Sequence, residues 1–129
     1  MVRVTAGIIR EGGKILACQR RRGAAFELRW EFPGGKIEEG EDPRACLARE
    51  LREELNIEAG IGREVYRTRY RYPDGFAVEL LFFEVTEHRG ALQNLSFETI
   101  RWAAPADLPA LDFLEADREL VARLAEGAP

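Results

Sequence analysis

Three glutamates stand at positions 50, 53 and 54 of this 129-residue chain. On a helix, spacings of i, i+3 and i+4 project all three from one face. Like charges packed together destabilise a bare helix. Oxygens arrayed on a rigid element are, however, what a hard divalent cation needs. Arg49 stands one turn before Glu53 and can pair with it and orient it, whereas Arg52 projects elsewhere. Ahead of them comes Gly34-Gly35-Lys36, where glycine permits a tight turn and close approach to a ligand. Glu41 can reach back towards the same region. Taken alone, an acidic helix face is ordinarily a solvated face, and the glycine turn is a weaker sign still.

The carboxylates need a helix, and the sequence supplies its signals. Asp42 reads as the N-cap and Pro43 as the first helical residue. Leu47, Leu51 and Leu55 repeat at i, i+4, i+8, which seats the helix on a core beside the acidic face. Asn56 suits the left-handed position just past the end. Around this helix lie strand signals. Residues 2–9 are β-branched and apolar, and a glycine turn at 11–14 joins them to Ile15-Leu16-Ala17-Cys18 as a hairpin. Residues 19–25 read as a loop, and 28–32 as a short strand stopped by Pro33-Gly34-Gly35. Further strands are expected over 65–72, 76–85 and 100–104, with a closing helix over 116–125. Trp30 and Trp102 are read as core. Strands mixed with two helices predict an α/β sandwich with a mixed sheet.

The length suits one compact domain with a real core. Apolar residues make up 46% and charged residues 33%, a globular balance. The net charge of −4 speaks against coating a nucleic acid polymer, which needs a basic face. It leaves room for a small anionic substrate, because a metal ion can bring the positive charge. Cys18 and Cys46 lie in apolar segments without C-x-x-C spacing and read as buried thiols. No stretch approaches the ~18 apolar residues of a membrane span, and the first residues lack a secretory signal. The expectation is a cytoplasmic protein with no membrane contact, monomeric or homodimeric.

From Gly35 the chain runs glycine, five residues, Glu41, seven residues, Arg49-Glu50-Leu51, one residue, Glu53-Glu54, one residue, Asn56-Ile57. This resembles the Nudix box, which has these residue types at these spacings and a glycine where Asn56 stands. That position ends the helix rather than binding a ligand. Ala6-Gly7-Ile8-Ile9, the run Trp30-Glu31-Phe32-Pro33-Gly34-Gly35-Lys36 and Ala116-Asp117-Arg118 are similar to the MutT-type nucleoside-triphosphate pyrophosphohydrolases. The resemblance implies the Nudix fold, an α/β/α sandwich with a mixed β-sheet, as a single domain over 1–129.

It also implies a reaction: water attacks a phosphorus of a nucleoside triphosphate, releasing monophosphate and pyrophosphate. The expected cofactor is Mg²⁺, with Mn²⁺ as a substitute. Glu50, Glu53 and Glu54 are the implied metal ligands, the Gly34 carbonyl is a further one, and Arg49 orients them. The general base is Glu53 or Glu98, the latter in a loop before Trp102. Among Arg20, Arg21 and Arg22, Arg21 is favoured for forked contact with phosphate, against a solvated loop. Phe32 and Tyr72 are candidates to sandwich a base, against plain core packing. Asp117 matches a position that in some relatives is an Asn reading the base edge; its alternative is helix capping. An ionised carboxylate accepts hydrogen bonds and cannot donate them. That disfavours 8-oxoguanine and leaves cytosine. Two further readings stand beside this one: a Nudix hydrolase of a nucleotide sugar or dinucleotide, and a nucleotide-sensing module without turnover. Such modules often lose box carboxylates, and here all are present.

Overall fold

A computed structural model gives the fold for residues 1–127; the last two residues of the expected 1–129 domain lie outside the described residues. The chain orders as β1 (Val2–Glu11), β2 (Lys14–Gln19), β3 (Trp30–Glu31), β4 (Gly34–Lys36), α1 (Pro43–Leu55), β5 (Glu58–Arg71), β6 (Ala77–Arg89), β7 (Thr99–Ala103) and α2 (Arg118–Ala125). Two short 3-10 turns, Pro105–Ala110 and Glu115–Asp117, precede α2.

The seven strands form a mixed sheet in the order β3-β2-β1-β6-β5, with β4 on β1 and β7 on β2. The β1–β6 pair is parallel and the others are antiparallel. One face carries α1: Leu47, Leu51 and Leu55 pack with Ile9, Leu16, Leu81, Phe83 and Val85. The other face carries α2: Leu120, Val121 and Leu124 pack with Ile8, Ile15, Leu80 and Phe82. The alternation of β6 sends Leu80 and Phe82 one way and Leu81 and Phe83 the other. The result is the expected α/β/α sandwich with a mixed sheet. Trp30 and Trp102 are half-buried against opposite cores, and both cysteines are buried and unbridged. Among the described residues no helix is long and apolar enough to cross a membrane.

The signals at the ends of α1 act as read. The Asp42 side chain accepts from the Arg44 and Ala45 amides at 3.1 Å, satisfying two free N–H groups of the first turn. Asn56 adopts φ 57° and ψ 38°, and its amide reaches the Arg52 carbonyl. Four other expectations need correction. The strand expected over 28–32 shrinks to Trp30–Glu31, because Leu28 takes φ 62° in a turn. Gly34–Lys36 is a strand, not a turn; its glycines serve close approach alone. The strand expected over 65–72 begins at Glu58, its first half broken by register shifts between Gly60 and Tyr66. Those bulges erase the period-2 pattern that would have betrayed it. The closing helix likewise starts at Arg118 rather than 116.

Candidate active site

The acidic face of α1 meets β4 at its two glycines. A Cβ on Gly34 would stand 2.0 Å from the Thr5 carbonyl oxygen of β1, and one on Gly35 would stand 2.3 Å from the Glu50 carboxyl carbon. Only glycine lets the β4 backbone pass between β1 and the helix carboxylates. The Gly34 carbonyl therefore lies in the strand that flanks them.

Arg49 organises this face, with more partners than the one expected. Its Nε and Nη2 donate to the two Glu41 oxygens at 2.9 and 3.0 Å, and Nη1 reaches Glu50 at 3.0 Å. Glu53, the expected partner, accepts from the same Nη1 at a longer 3.5 Å. Glu41 thus grips Arg49 instead of reaching for a ligand. These bonds, with one from the Glu38 backbone, hold the Glu41 carboxyl down at about 2, and Glu41 in turn raises Arg49. Glu53 is exposed.

Glu54 lives in a different setting. Its Oε1 is buried without a hydrogen-bond partner. Burial, followed by the charges of Glu50 and Glu31, pushes its carboxyl up to about 8. Among the described residues no three His, Cys, Asp or Glu side chains converge as a ready metal cage. The donor set nonetheless fits magnesium, which typically takes one or two carboxylates and completes its shell with water and substrate phosphate. A buried carboxylate oxygen with no donor is a place where a cation relieves an electrostatic cost.

Beside Glu54 opens a cavity of about 490 Å³, the size of a small-molecule site. Phe32, Tyr72, Glu31, Asp117 and Arg20 line it together with Gly34 and Glu54. Phe32 packs on Phe113 at 5.0 Å and edge-on to Phe82 at 6.2 Å, so it is core and cavity wall at once. Tyr72 is buried as well, with the exposed Phe26 ring 4.9 Å away at the cavity mouth. Asp117 is 3% exposed and precedes α2, yet its side chain makes no capping bond. The capping alternative is set aside. Burial, then the nearby Glu31 charge, pushes its carboxyl well above the usual range, against a lowering from the Phe32 amide. The shift favours the neutral form, and a protonated carboxyl offers one O–H donor and one carbonyl acceptor, as an amide does.

Glu31 was missed as a site residue. Burial raises its carboxyl even though Arg20 Nη1 donates to both its oxygens, at 3.1 and 3.2 Å. A carboxylate inside the apolar run Trp30-Glu31-Phe32 was the signal available. Arg20, not Arg21, is the loop arginine on the cavity wall; Arg21 is exposed outside it. Glu98 is exposed on a loop away from the cavity lining, its amide bonded to the Gln19 carbonyl and its carboxylate 3.3 Å from the Arg22 amide. That loop touches α1 nearby, where the Leu95 amide reaches the Glu54 carbonyl at 3.0 Å.

Residues 1–124 match the NUDIX domain. The chain is 38% identical over 122 residues to a CTP pyrophosphohydrolase of Escherichia coli, covering 87% of this chain and 90% of that protein. It is 37% identical over 126 residues to an 8-oxo-dGTP diphosphatase of Haemophilus influenzae, covering 96% and 91%. Among solved structures, the solution structure of the E. coli ORF135 protein superposes with a TM-score of 0.84 at 37% identity, covering 95% of this chain and 86% of that one. The MutT protein of Methanosarcina mazei shares the fold at a TM-score of 0.86 and 18% identity, covering 98% and 94%.

Proposed function

The chain belongs to the NUDIX family and is a Nudix hydrolase, and from that premise we propose that it is a magnesium-dependent enzyme cleaving a cytosine nucleoside triphosphate to monophosphate and pyrophosphate. The observation that carries the base assignment is the acidic floor of the cavity. Glu31 is half-buried and Asp117 buried there, burial raising both carboxyls, and the lining arginine, Arg20, is already engaged by Glu31. Such a floor favours a base that presents an amino donor. Cytosine offers its exocyclic amino group to the Asp117 carbonyl oxygen and its ring nitrogen to the Asp117 O–H. Uracil presents an acceptor where cytosine has the donor. The 38% identity to a CTP pyrophosphohydrolase agrees with this reading.

At the other end of the site, Glu50, Glu53 and Glu54 are the residues to hold Mg²⁺, or Mn²⁺ in its place, with the Gly34 carbonyl beside them. A bound divalent ion screens the phosphate charge and makes water a better nucleophile. Arg49 fixes Glu50 and is itself fixed by Glu41. Glu53 or Glu98 takes the proton of the attacking water; Glu53 shares Arg49 with Glu50. In this reading Phe32 and Tyr72 give the base apolar walls, and Arg21 meets phosphate from the solvent side. The free buried thiols suit a reducing compartment such as the cytoplasm.

An oxidised guanine nucleotide is the second reading. It is favoured by the 37% identity to an 8-oxo-dGTP diphosphatase and by the ability of a protonated Asp117 to donate as an Asn would. Pyrophosphate release from CTP, dCTP, UTP and 8-oxo-dGTP with Mg²⁺ decides. Cytosine nucleotides well ahead of UTP and 8-oxo-dGTP are expected. Preference for 8-oxo-dGTP replaces the first reading with the second, and tight binding without turnover of any overturns both.

A further inference from the structure

Asp117 sits in a five-residue strap, 115–119, made of the 3-10 turn Glu115–Asp117 and the first two residues of α2. Neither element holds its carboxyl by capping, and α2 is short. Local bonds run from the Asp117 amide to the Leu114 carbonyl and from Arg118 to Phe113 and Asp112, and two further bonds come from across the molecule. The Tyr70 hydroxyl donates to Glu115, two residues before Asp117. The Tyr66 hydroxyl donates to Glu119, two residues after it, at 2.6 Å. Arg123 lies over the Tyr66 ring at 5.1 Å and reaches the other Glu119 oxygen at 3.4 Å. Both tyrosines lie on β5, four residues apart, so the period of two puts them on the same face. Tyr70 also meets the cavity residue Tyr72 edge-on at 4.8 Å.

We propose that Tyr66 and Tyr70 are positioning residues: by gripping Glu119 and Glu115 they hold the strap so that the Asp117 carboxyl faces the base. Two phenolic bonds to charged acceptors on either side of one buried residue are more than α2 needs for docking, since Leu120, Val121 and Leu124 already bury it. The bonds lie outside the cavity lining, so their removal takes no group from the substrate. The inference rests on Asp117 reading the base.

The test compares the Tyr66→Phe/Tyr70→Phe double variant with Glu115→Gln and Asp117→Ala. The double variant keeps both rings and loses both bonds; Glu115→Gln keeps an acceptor for Tyr70. Steady-state kinetics on CTP and UTP and the Phe32 amide resonance of the nucleotide-free protein are the readouts. The double variant is expected to raise KM for CTP roughly tenfold, shrink the preference over UTP, hold kcat within about twofold and shift the Phe32 amide. Glu115→Gln is expected to behave like the parent chain. A double variant with the parent's KM, base preference and Phe32 resonance overturns the proposal, as does an equal fall in kcat for both nucleotides. If Asp117→Ala leaves base preference untouched, base reading by Asp117 fails, and with it the purpose assigned to the grip; a Phe32 shift in the double variant would then show a strap held for some other end. Asp117→Ala altering preference while the double variant does not leaves base reading intact and removes the grip alone.

Discussion

Two sets of carboxylates share this site and are held in opposite ways. Glu41, Glu50 and Glu53 gather around the Arg49 guanidinium at the rim. Glu31, Glu54 and Asp117 face into the cavity, and burial raises all three. The rim set surrounds a charge the protein supplies. In the function proposed above, Glu54 meets the charge that arrives with metal and Asp117 meets the base. An arginine alone does not decide the outcome: burial raises Glu31 despite Arg20 and Glu50 despite Arg49, whereas Glu41, with both oxygens held by Arg49, is lowered.

Removing one group at a time separates the two regions. Glu53→Gln is expected to lower kcat by at least ~10³-fold while far-UV circular dichroism stays that of the parent. A folded variant with full magnesium-dependent turnover would take the metal role from the rim. Arg49→Lys comes next. A lysine is a point charge and cannot hold both Glu41 oxygens and Glu50 together. About 10²-fold loss of kcat should accompany a change in Tm of only a few degrees, since exposed pairs contribute about 0–1 kcal/mol. An equally large collapse in stability would make Arg49 a structural strut instead.

Asp117→Asn should move activity least. The neutral amide copies the donor and acceptor of the protonated acid, so KM for CTP is expected within about threefold of the parent. Stability should rise. A carboxyl whose folded pKa is raised binds more protons folded than unfolded, so the native state loses stability as pH climbs above the ordinary carboxylate range. Asn escapes this. The gain in Tm, about 5 °C for ~1 kcal/mol, should be larger at pH 8 than at pH 5. A gain that is the same at both pH values would mean that Asp117 is ionised in the native protein.

What could be read from the chain alone was local. Asp42, Pro43, the leucine repeat and Asn56 determine α1 because each acts within a turn or two of itself, and a helix places i, i+3 and i+4 together whatever surrounds it. The glutamate face and its arginine followed from that. The first half of β5 did not, because Gly60 and Gly62 sit in bulges whose geometry depends on β6. The roles of Glu31 and Asp117 did not either. Their carboxyls meet only when β3 and the strap before α2 close on one cavity, and burial there decides their protonation. Desolvation and the field of a distant charge are properties of assembled surfaces, so the glutamates of α1 announced themselves in sequence while Glu31 and Asp117 were brought to one cavity by the tertiary fold.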